Sequence, residues 1–394
     1  MNKIANKAQQ FLFILLGITI PTSIAITNLV IAGLVLTWIV EGNFKQKINE
    51  IKSSKWVIYI FLMLGLYALG MTWGDNHLNA EWQFQRLALL LVFPILGTMK
   101  LSQSTLKKAA FAFLGTAFLS AVIAIAINNK LILPLGNYIP IIDKSWRISA
   151  FISYNYHNVI LALATSLLLY IFTEASRKYK LLILALIGIF AISIFTERGR
   201  AGQVIFNLAI IFYIVYYNRR HFLRLLSLLL LLFSFQFIVY KSTKVYKSRV
   251  DMLSKVIKNN GDRGKGKTDD IRFVFVKESI KRILDKPLLG YGTGSFGTIF
   301  NDEVKSGHQF FTHTTPHNQY LYIWFELGIL GLIILLLVFY HQIRELFRKQ
   351  DGVHRILLPL SFMFLMLVDS YFFIFTLTVC YIFLFTIYNK YQVE

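Results

Sequence analysis

Long apolar segments separated by short charged ones recur along this sequence, and they restrict its fold more than any other feature. A helix needs about 20 apolar residues to cross the hydrocarbon core of a bilayer. The sequence offers about twelve such segments, and 56% of its 394 residues are hydrophobic. We therefore predict an all-α, polytopic membrane protein with about 12 transmembrane helices. The predicted segments are 9–21, 24–40, 56–73, 84–99, 109–127, 157–173, 179–195, 202–217, 222–240, 319–340, 355–370 and 372–389.

Two pairs of segments lie unusually close together. Pro21 interrupts the first long apolar run, which is compatible with one broken helix or with a tight pair of helices. The last two segments are separated only around Asp369, an ionisable residue near the membrane and therefore a functional candidate.

Lysine and arginine are concentrated in five short loops, which the positive-inside rule places in the cytoplasm. If the chain crosses the membrane twelve times and its N-terminus is in the cytoplasm, all five loops and the C-terminal tail also lie in the cytoplasm. The same distribution accounts for the formal net charge of +21, so we do not predict nucleic-acid binding. The loops are 41–55, 100–108, 177–180, 219–224 and 344–355.

This topology divides the chain into three parts. Residues 1–240 carry transmembrane helices 1–9, residues 241–318 form a large outer loop subdomain, and residues 319–394 carry helices 10–12. Long loops cross the membrane largely regardless of charge, so the basic character of the outer loop is compatible with this side. Within the loop, apolar residues at helical spacing predict an amphipathic helix that Pro287 ends.

An arginine-rich break between two segments is the first candidate site. Arg198 and Arg200 flank a glycine, and the guanidinium group binds phosphate oxygens in a fork. The N-terminus of the helix that follows adds partial positive charge. We predict a pyrophosphate clamp in which Glu197 pairs with one of the arginines; the alternative is that they extend to lipid head groups.

His317 is the second candidate, because histidine exchanges a proton near neutral pH. It is followed by Asn318 at the mouth of a helix; the alternative is a hydrogen-bonded interfacial histidine. Tyr154 and His157 form another polar helix entry, which we interpret as a contact for the acceptor or for lipid.

A metal site is not predicted from this pattern. The nearby His308 and His313 are loosely spaced, and no acidic ligand recurs with them. The single cysteine, Cys380, lies inside an apolar run.

Three motifs resemble those of the O-antigen ligase family of bacterial membrane glycosyltransferases. The sequence reads RGRAG at 198–202, and it reads PLLGYGTGSF at 287–296 after the helix that carries Arg272. It then reads HNQYL at 317–321, followed by ELGILG at 326–331. The order of the motifs and the length of the outer loop also resemble the family.

The resemblance implies a multi-pass protein of the bacterial inner membrane with a helical periplasmic subdomain. It implies a glycan donor linked to undecaprenyl pyrophosphate and a lipid A–core acceptor, with no cofactor, metal or ATP. Arg198, Arg200 and Arg272 would bind the pyrophosphate, although from position alone Arg272 is better interpreted as a solvated charge. His317 would orient or deprotonate the acceptor hydroxyl.

Three alternatives remain open at this point. An O-antigen or exopolysaccharide polymerase would use the same donor with a glycan acceptor, and a protein O-oligosaccharyltransferase would use a protein. A transporter of lipid-linked glycans should carry its charges deep within the spans, whereas these candidates cluster at one face.

Overall fold

The computed structural model describes residues 2–133, 149–244, 246–248, 250–251, 254, 270–304 and 315–392. Over these residues the protein is helical and contains no strand, as the all-α prediction requires. The helices are α1 (Asn2–Thr19), α2 (Ile24–Glu41), α3 (Phe44–Ser53), α4 (Lys55–Gly70), α5 (His77–Leu87), α6 (Val92–Thr98), α7 (Gln103–Asn128), α8 (Tyr154–Glu174), α9 (Arg177–Thr196), α10 (Arg200–Asn218), α11 (Phe222–Ser242), α12 (Asp270–Asp285), α13 (Ser295–Val304), α14 (Gln319–Phe347), α15 (Gly352–Arg355), α16 (Leu357–Leu365) and α17 (Phe375–Lys390).

Seven helices in the described part of the chain are long and apolar enough to cross a membrane, namely α2, α7, α8, α9, α10, α11 and α14. The number rises to eight if α3 and α4, which meet at 93°, form one span. The segments 352–365 and 375–390 form shorter apolar helices. A multi-pass membrane protein is therefore supported, and the count of about twelve spans stays a prediction.

Two segments differ in form from a single straight span. The first apolar run forms two helices, which separate around Pro21. The predicted segment 84–99 is not one helix, since α5 is followed by a 3₁₀ turn at Ala88–Leu91 and then by α6. Pro94 explains the break, because proline lacks an N–H and is tolerated only in the first turn of a helix.

The described chain divides into two compact units: Met1–Gln9, Gly33–Leu101 and Gly261–Glu394 form the first, and Gln10–Ala32 and Ser102–Asn260 form the second. In the first unit, α14 packs along α4. Trp56 of α4 contacts Phe93 and Phe385 edge-to-face and donates a hydrogen bond to Glu345 at 2.7 Å. These aromatic contacts bring α4, α6, α14 and α17 into one core.

One arginine of the fifth basic loop has a structural role in the first unit. Arg355 is buried, and its guanidinium donates to the backbone carbonyls of Tyr388 and Tyr391 at the end of α17. These carbonyls have no partner inside the helix, so the arginine acts as a C-terminal cap.

In the second unit, α8 is the central helix, and α10 and α9 pack against it. The approach between α8 and α10 is close, because a Cβ atom at Gly199 or Gly202 would overlap Asn158. Small residues allow such backbone contact between apolar helices.

Candidate functional site

His317 forms a pair with Asp369 in the first unit. Its Nδ1 atom lies 3.0 Å from the Asp369 carboxylate, and both side chains are half-buried. His317 has a left-handed backbone, with φ of 52°, which is uncommon outside glycine. Such conformations cluster at functional sites, and here it places the ring at the start of α14.

The Asp369 turn is attached to the start of α14 by backbone hydrogen bonds. Gln319 donates its N–H to the Met366 carbonyl at 2.8 Å, and its side chain accepts from Phe372 at 3.1 Å. Asp369 also accepts the N–H of Ser370 at 2.8 Å. The carboxylate is therefore held in place relative to His317 by contacts on both sides of it in sequence.

Asn318 has a defined structural role next to His317. Its side-chain oxygen accepts the backbone N–H groups of Tyr320 and Leu321, so it caps α14. Its amide group donates to the Leu367 carbonyl at 3.2 Å. Asn318 thus supports the site by joining the helix start to the Asp369 turn.

Helix α12 brings the segment that contains Arg272 close to His317. The ring of Phe275 lies 5.7 Å from that of His317 between centroids. Arg272 lies one turn before Phe275 on the same helix, whose described side chains begin at Phe275. The predicted amphipathic helix is confirmed, and it ends before Pro287.

A glycine turn follows α12, as the sequence indicates. Gly290, Gly292 and Gly294 all have positive φ values. Tyr291 and Gly292 donate their N–H groups to the carbonyls of Phe325 and Glu326 on α14, at 2.9 and 2.8 Å. The motifs at 287–296 and 326–331 are therefore packed directly against each other.

Glu326 is the buried centre of this contact. Its Oε1 atom accepts the N–H groups of Gly294 (3.2 Å) and Phe296 (3.4 Å) and the amide of Gln83 (3.0 Å). The side chain is fully buried, and its Oε2 atom has no hydrogen-bond partner among the described residues. One carboxylate thus joins the glycine turn, α5 and α14.

The arginine pair lies in the second unit, where α9 turns into α10. Arg198 and Arg200 are both exposed, and Gly199 between them caps α10. The Gly199 carbonyl accepts the Asn158 amide at 3.2 Å, which ties this turn to α8. The turn therefore carries two exposed cations at a helix N-terminus, and their role in binding an anion stays a prediction. The convergence of these arginines with Arg272 and His317 stays a prediction.

Glu197 and His157 are buried beneath this turn. His157 Nδ1 lies 3.2 Å from Glu197, and Glu197 also accepts a short hydrogen bond from Ser149. Both side chains are buried, so His157 is not exposed for the contact with acceptor or lipid that the sequence suggested. The described partners of the Glu197 carboxylate are Ser149 and His157. Tyr154 is half-buried in the first turn of α8.

Several of these residues were not singled out from the sequence as site residues. Glu326, Gln83 and Ser149 lie far from their partners in sequence, and only Glu326 had a visible signal, a carboxylate inside an apolar segment. Asp369 carried the same signal. Within the described residues, no group of three His, Cys, Asp or Glu side chains could hold a metal ion. His308 and His313 lie outside the described residues.

The fold and these contacts define a polytopic membrane protein. It has a histidine–carboxylate pair, His317 and Asp369, and its motifs at 287–296 and 326–331 pack against each other. The family model described as O-antigen ligase matches residues 184–336, which include all three motifs. This match over residues 184–336 supports membership of the O-antigen ligase family and suggests an enzyme of the glycosyltransferase type. A search of curated proteins found no match.

Proposed function

We propose that this protein transfers a glycan from undecaprenyl pyrophosphate to a hydroxyl of lipid A–core, on the periplasmic face of the bacterial inner membrane. The observation that carries this proposal is the His317–Asp369 pair, whose histidine lies beside the helix of Arg272. His317 and this helix fall within residues 184–336, which match the O-antigen ligase model, and Asp369 follows the matched segment. A polarised histidine and cations suit a reaction in which a hydroxyl attacks and a pyrophosphate leaves.

The proposed chemistry gives the two ring nitrogens of His317 different roles: Nδ1 binds Asp369, and Nε2 takes the proton of the acceptor hydroxyl. In this proposal Asp369 accepts a hydrogen bond from Nδ1–H, and the lone pair on Nε2 takes the proton of the acceptor hydroxyl. The acceptor oxygen forms a bond to the anomeric carbon of the glycan, and the bond from that carbon to the pyrophosphate oxygen breaks. Undecaprenyl pyrophosphate leaves, and Arg198, Arg200 and Arg272 stabilise the charge that develops on it.

Reconstitution tests the reaction and its acceptor. Purified protein would be combined with undecaprenyl-pyrophosphate glycan and lipid A–core, without metal or ATP, and the acceptor mass would be measured. Glycan on lipid A–core supports a ligase. Longer glycans still attached to the polyprenyl carrier would instead identify a polymerase. Absence of both products would refute ligase and polymerase activity and favour a protein acceptor or transport.

The site assignment is tested with single substitutions in the same assay. We expect His317→Ala and Arg272→Ala to lower transfer by about 10²-fold or more, the contribution typical of a proton-transferring or charge-stabilising group. Lys277→Ala, an exposed residue on the same helix as Arg272, is the matched control and should retain transfer. Wild-type transfer rates in purified His317→Ala and Arg272→Ala would exclude these roles.

A further inference from the structure

Exposed aliphatic side chains form one stripe along α12 and the loop that follows it. Val276, Ile280 and Leu284 recur every four residues and are 36%, 43% and 69% exposed. Leu288 and Leu289 extend the stripe and are 68% and 70% exposed. The exposed fraction therefore increases toward the end of the helix. Leu284, Leu288 and Leu289 are the most exposed side chains of the stripe, and we call them the leucine tip.

The other faces of α12 identify it as an interfacial helix. Phe275, Ser279 and Ile283 are buried against the unit. Lys277 and Lys281 are exposed on the side away from this buried face. A helix with one packed face, one bare apolar stripe and one charged face is suited to a membrane surface.

The leucine tip lies beside the point where α14 begins to expose apolar side chains. Ile329 of α14 donates its N–H to the Pro287 carbonyl at 2.9 Å, and a Cβ atom at Gly328 would overlap the Leu288 carbonyl. From Gln319 to Gly328, α14 has no exposed side chain. Beyond that point it exposes Leu330, Ile333 and Leu336.

The length of α14 places the membrane boundary at the same level. The backbone of Gly328 is not helical, so α14 consists of two helical segments that meet at a kink there, and the hydrocarbon core is about 30 Å thick. The residues from Gly328 to Phe347 span about 30 Å and end among the cations Arg344 and Arg348. Trp324 lies one turn before Gly328, where aromatic residues mark the interface.

We propose that Leu284, Leu288 and Leu289 insert into the leaflet that borders the His317 site and contact lipid acyl chains. Lys281 then lies at the level of the lipid head groups, and Gly328 marks the edge of the hydrocarbon. In this arrangement His317 and Glu326 lie above the edge of the hydrocarbon that Gly328 marks. The anchor itself does not depend on which acceptor the enzyme uses.

Site-specific fluorescence in liposomes tests the insertion. Cys380, the single cysteine, would be replaced by alanine, and an environment-sensitive dye attached to Leu288→Cys in the full chain. We expect acyl-chain nitroxide lipids to quench this dye several-fold more than the same dye at Lys281→Cys. Aqueous iodide should show the opposite order. Ile333→Cys, on the exposed face of α14, provides the lipid-facing reference.

Two results would overturn the proposal. Weak quenching by nitroxide lipids at position 288, together with strong quenching by iodide, would show that the tip lies in water. Weak quenching at 288 by both nitroxide and iodide would show that another protein surface or a second copy covers it. Leu289→Cys serves as an independent second position, and both variants must elute as monodisperse protein before labelling.

Discussion

The His317–Asp369 pair determines which nitrogen of the ring can accept a proton. Since an ionised carboxylate only accepts hydrogen bonds, its contact with Nδ1 favours the tautomer that carries a proton there. Asp369 therefore favours one tautomer of His317 and holds the ring in position, and the proposed reaction assigns the role of base to Nε2.

The His317–Asp369 pair predicts that replacing the Asp369 carboxylate by an amide lowers kcat. In Asp369→Asn, the Asn oxygen can still accept the Ser370 N–H, so the turn is retained, but the charge that favours the productive tautomer is lost. We expect kcat to fall by about 10²-fold with little change in the KM for the donor. The measurement is steady-state transfer kinetics, with Asp285→Asn, an exposed carboxylate on α12, as the control. Unchanged kcat in Asp369→Asn would contradict the assignment.

Glu326 affects the site through the backbone that it holds. Three donors from the glycine turn and α5 converge on one buried oxygen, and each would be left without an acceptor if the side chain were removed. A buried polar group that loses its partner costs about 1–3 kcal/mol.

We therefore expect Glu326→Ala to lower the free energy of unfolding by about 3 kcal/mol or more. Glu326→Gln should have a smaller effect, because it keeps one acceptor oxygen. Thermal unfolding in detergent measures both, and Glu81→Ala, an exposed carboxylate on α5, is the control. If Glu326→Ala unfolds at the wild-type temperature, the three hydrogen bonds do not stabilise the turn.

At the scale of elements, the glycine turn and the start of α14 depend on close backbone contact. Gly328 has φ of 67° in the middle of α14, and its neighbour across the contact is the backbone of Leu288. A side chain there would be strained by conformation and also displace the loop. The kink is thus part of the packing that places α12 beside His317.

Gly328→Ala should consequently destabilise the protein by at least about 1–2 kcal/mol, the cost of a left-handed backbone in a residue with a Cβ atom. Transfer should fall as well, because the loop after α12 must move. Gly65→Ala in α4 is the matched control, since nothing lies within 4 Å of its Cβ position and alanine favours helix. Equal melting temperatures for both variants would show that the Gly328 conformation is not required.

At the scale of the whole molecule, the basic loops predict one orientation in the membrane. A C-terminal green fluorescent protein fusion should fluoresce, because both termini are predicted in the cytoplasm. Alkaline phosphatase inserted after residue 260 should be active, and the same enzyme inserted after residue 178 should be inactive. An active insertion after residue 178 would reverse the topology and with it the proposed periplasmic site.

Much of the fold could be predicted from hydropathy and from the glycine and proline residues that end helices and form turns. The amphipathic α12, its end before Pro287 and the glycine turn follow from local residue patterns. The break at 88–91 was not predicted because all the residues there are apolar and hydropathy does not distinguish a 3₁₀ turn from an α-helix. Pro94 was the one local signal for it. Residues 255–269 of the basic outer loop lie outside the described residues.

The candidate site was only partly predictable, because its contacts join residues far apart in sequence. His317 and Asn318 stood out by their type and position, whereas the pairing of His317 with Asp369 depends on how α14 and the turn before α17 pack. The burial of His157 and Glu197 likewise depends on the close approach of α8 and α10. Neither of these contacts can be predicted from residue spacing or from a local sequence motif.

The position of Asp369 also has a consequence for biosynthesis. His317 and Asp369 lie at opposite ends of the segment that contains α14, α15 and α16, so the pair can form only after all of this segment has left the ribosome and inserted. A nascent chain that has been synthesised only as far as α14 therefore still lacks the carboxylate that pairs with His317. Under the proposed function, glycan transfer begins only after Asp369 has been synthesised, so partly translated chains would not consume the lipid-linked glycan.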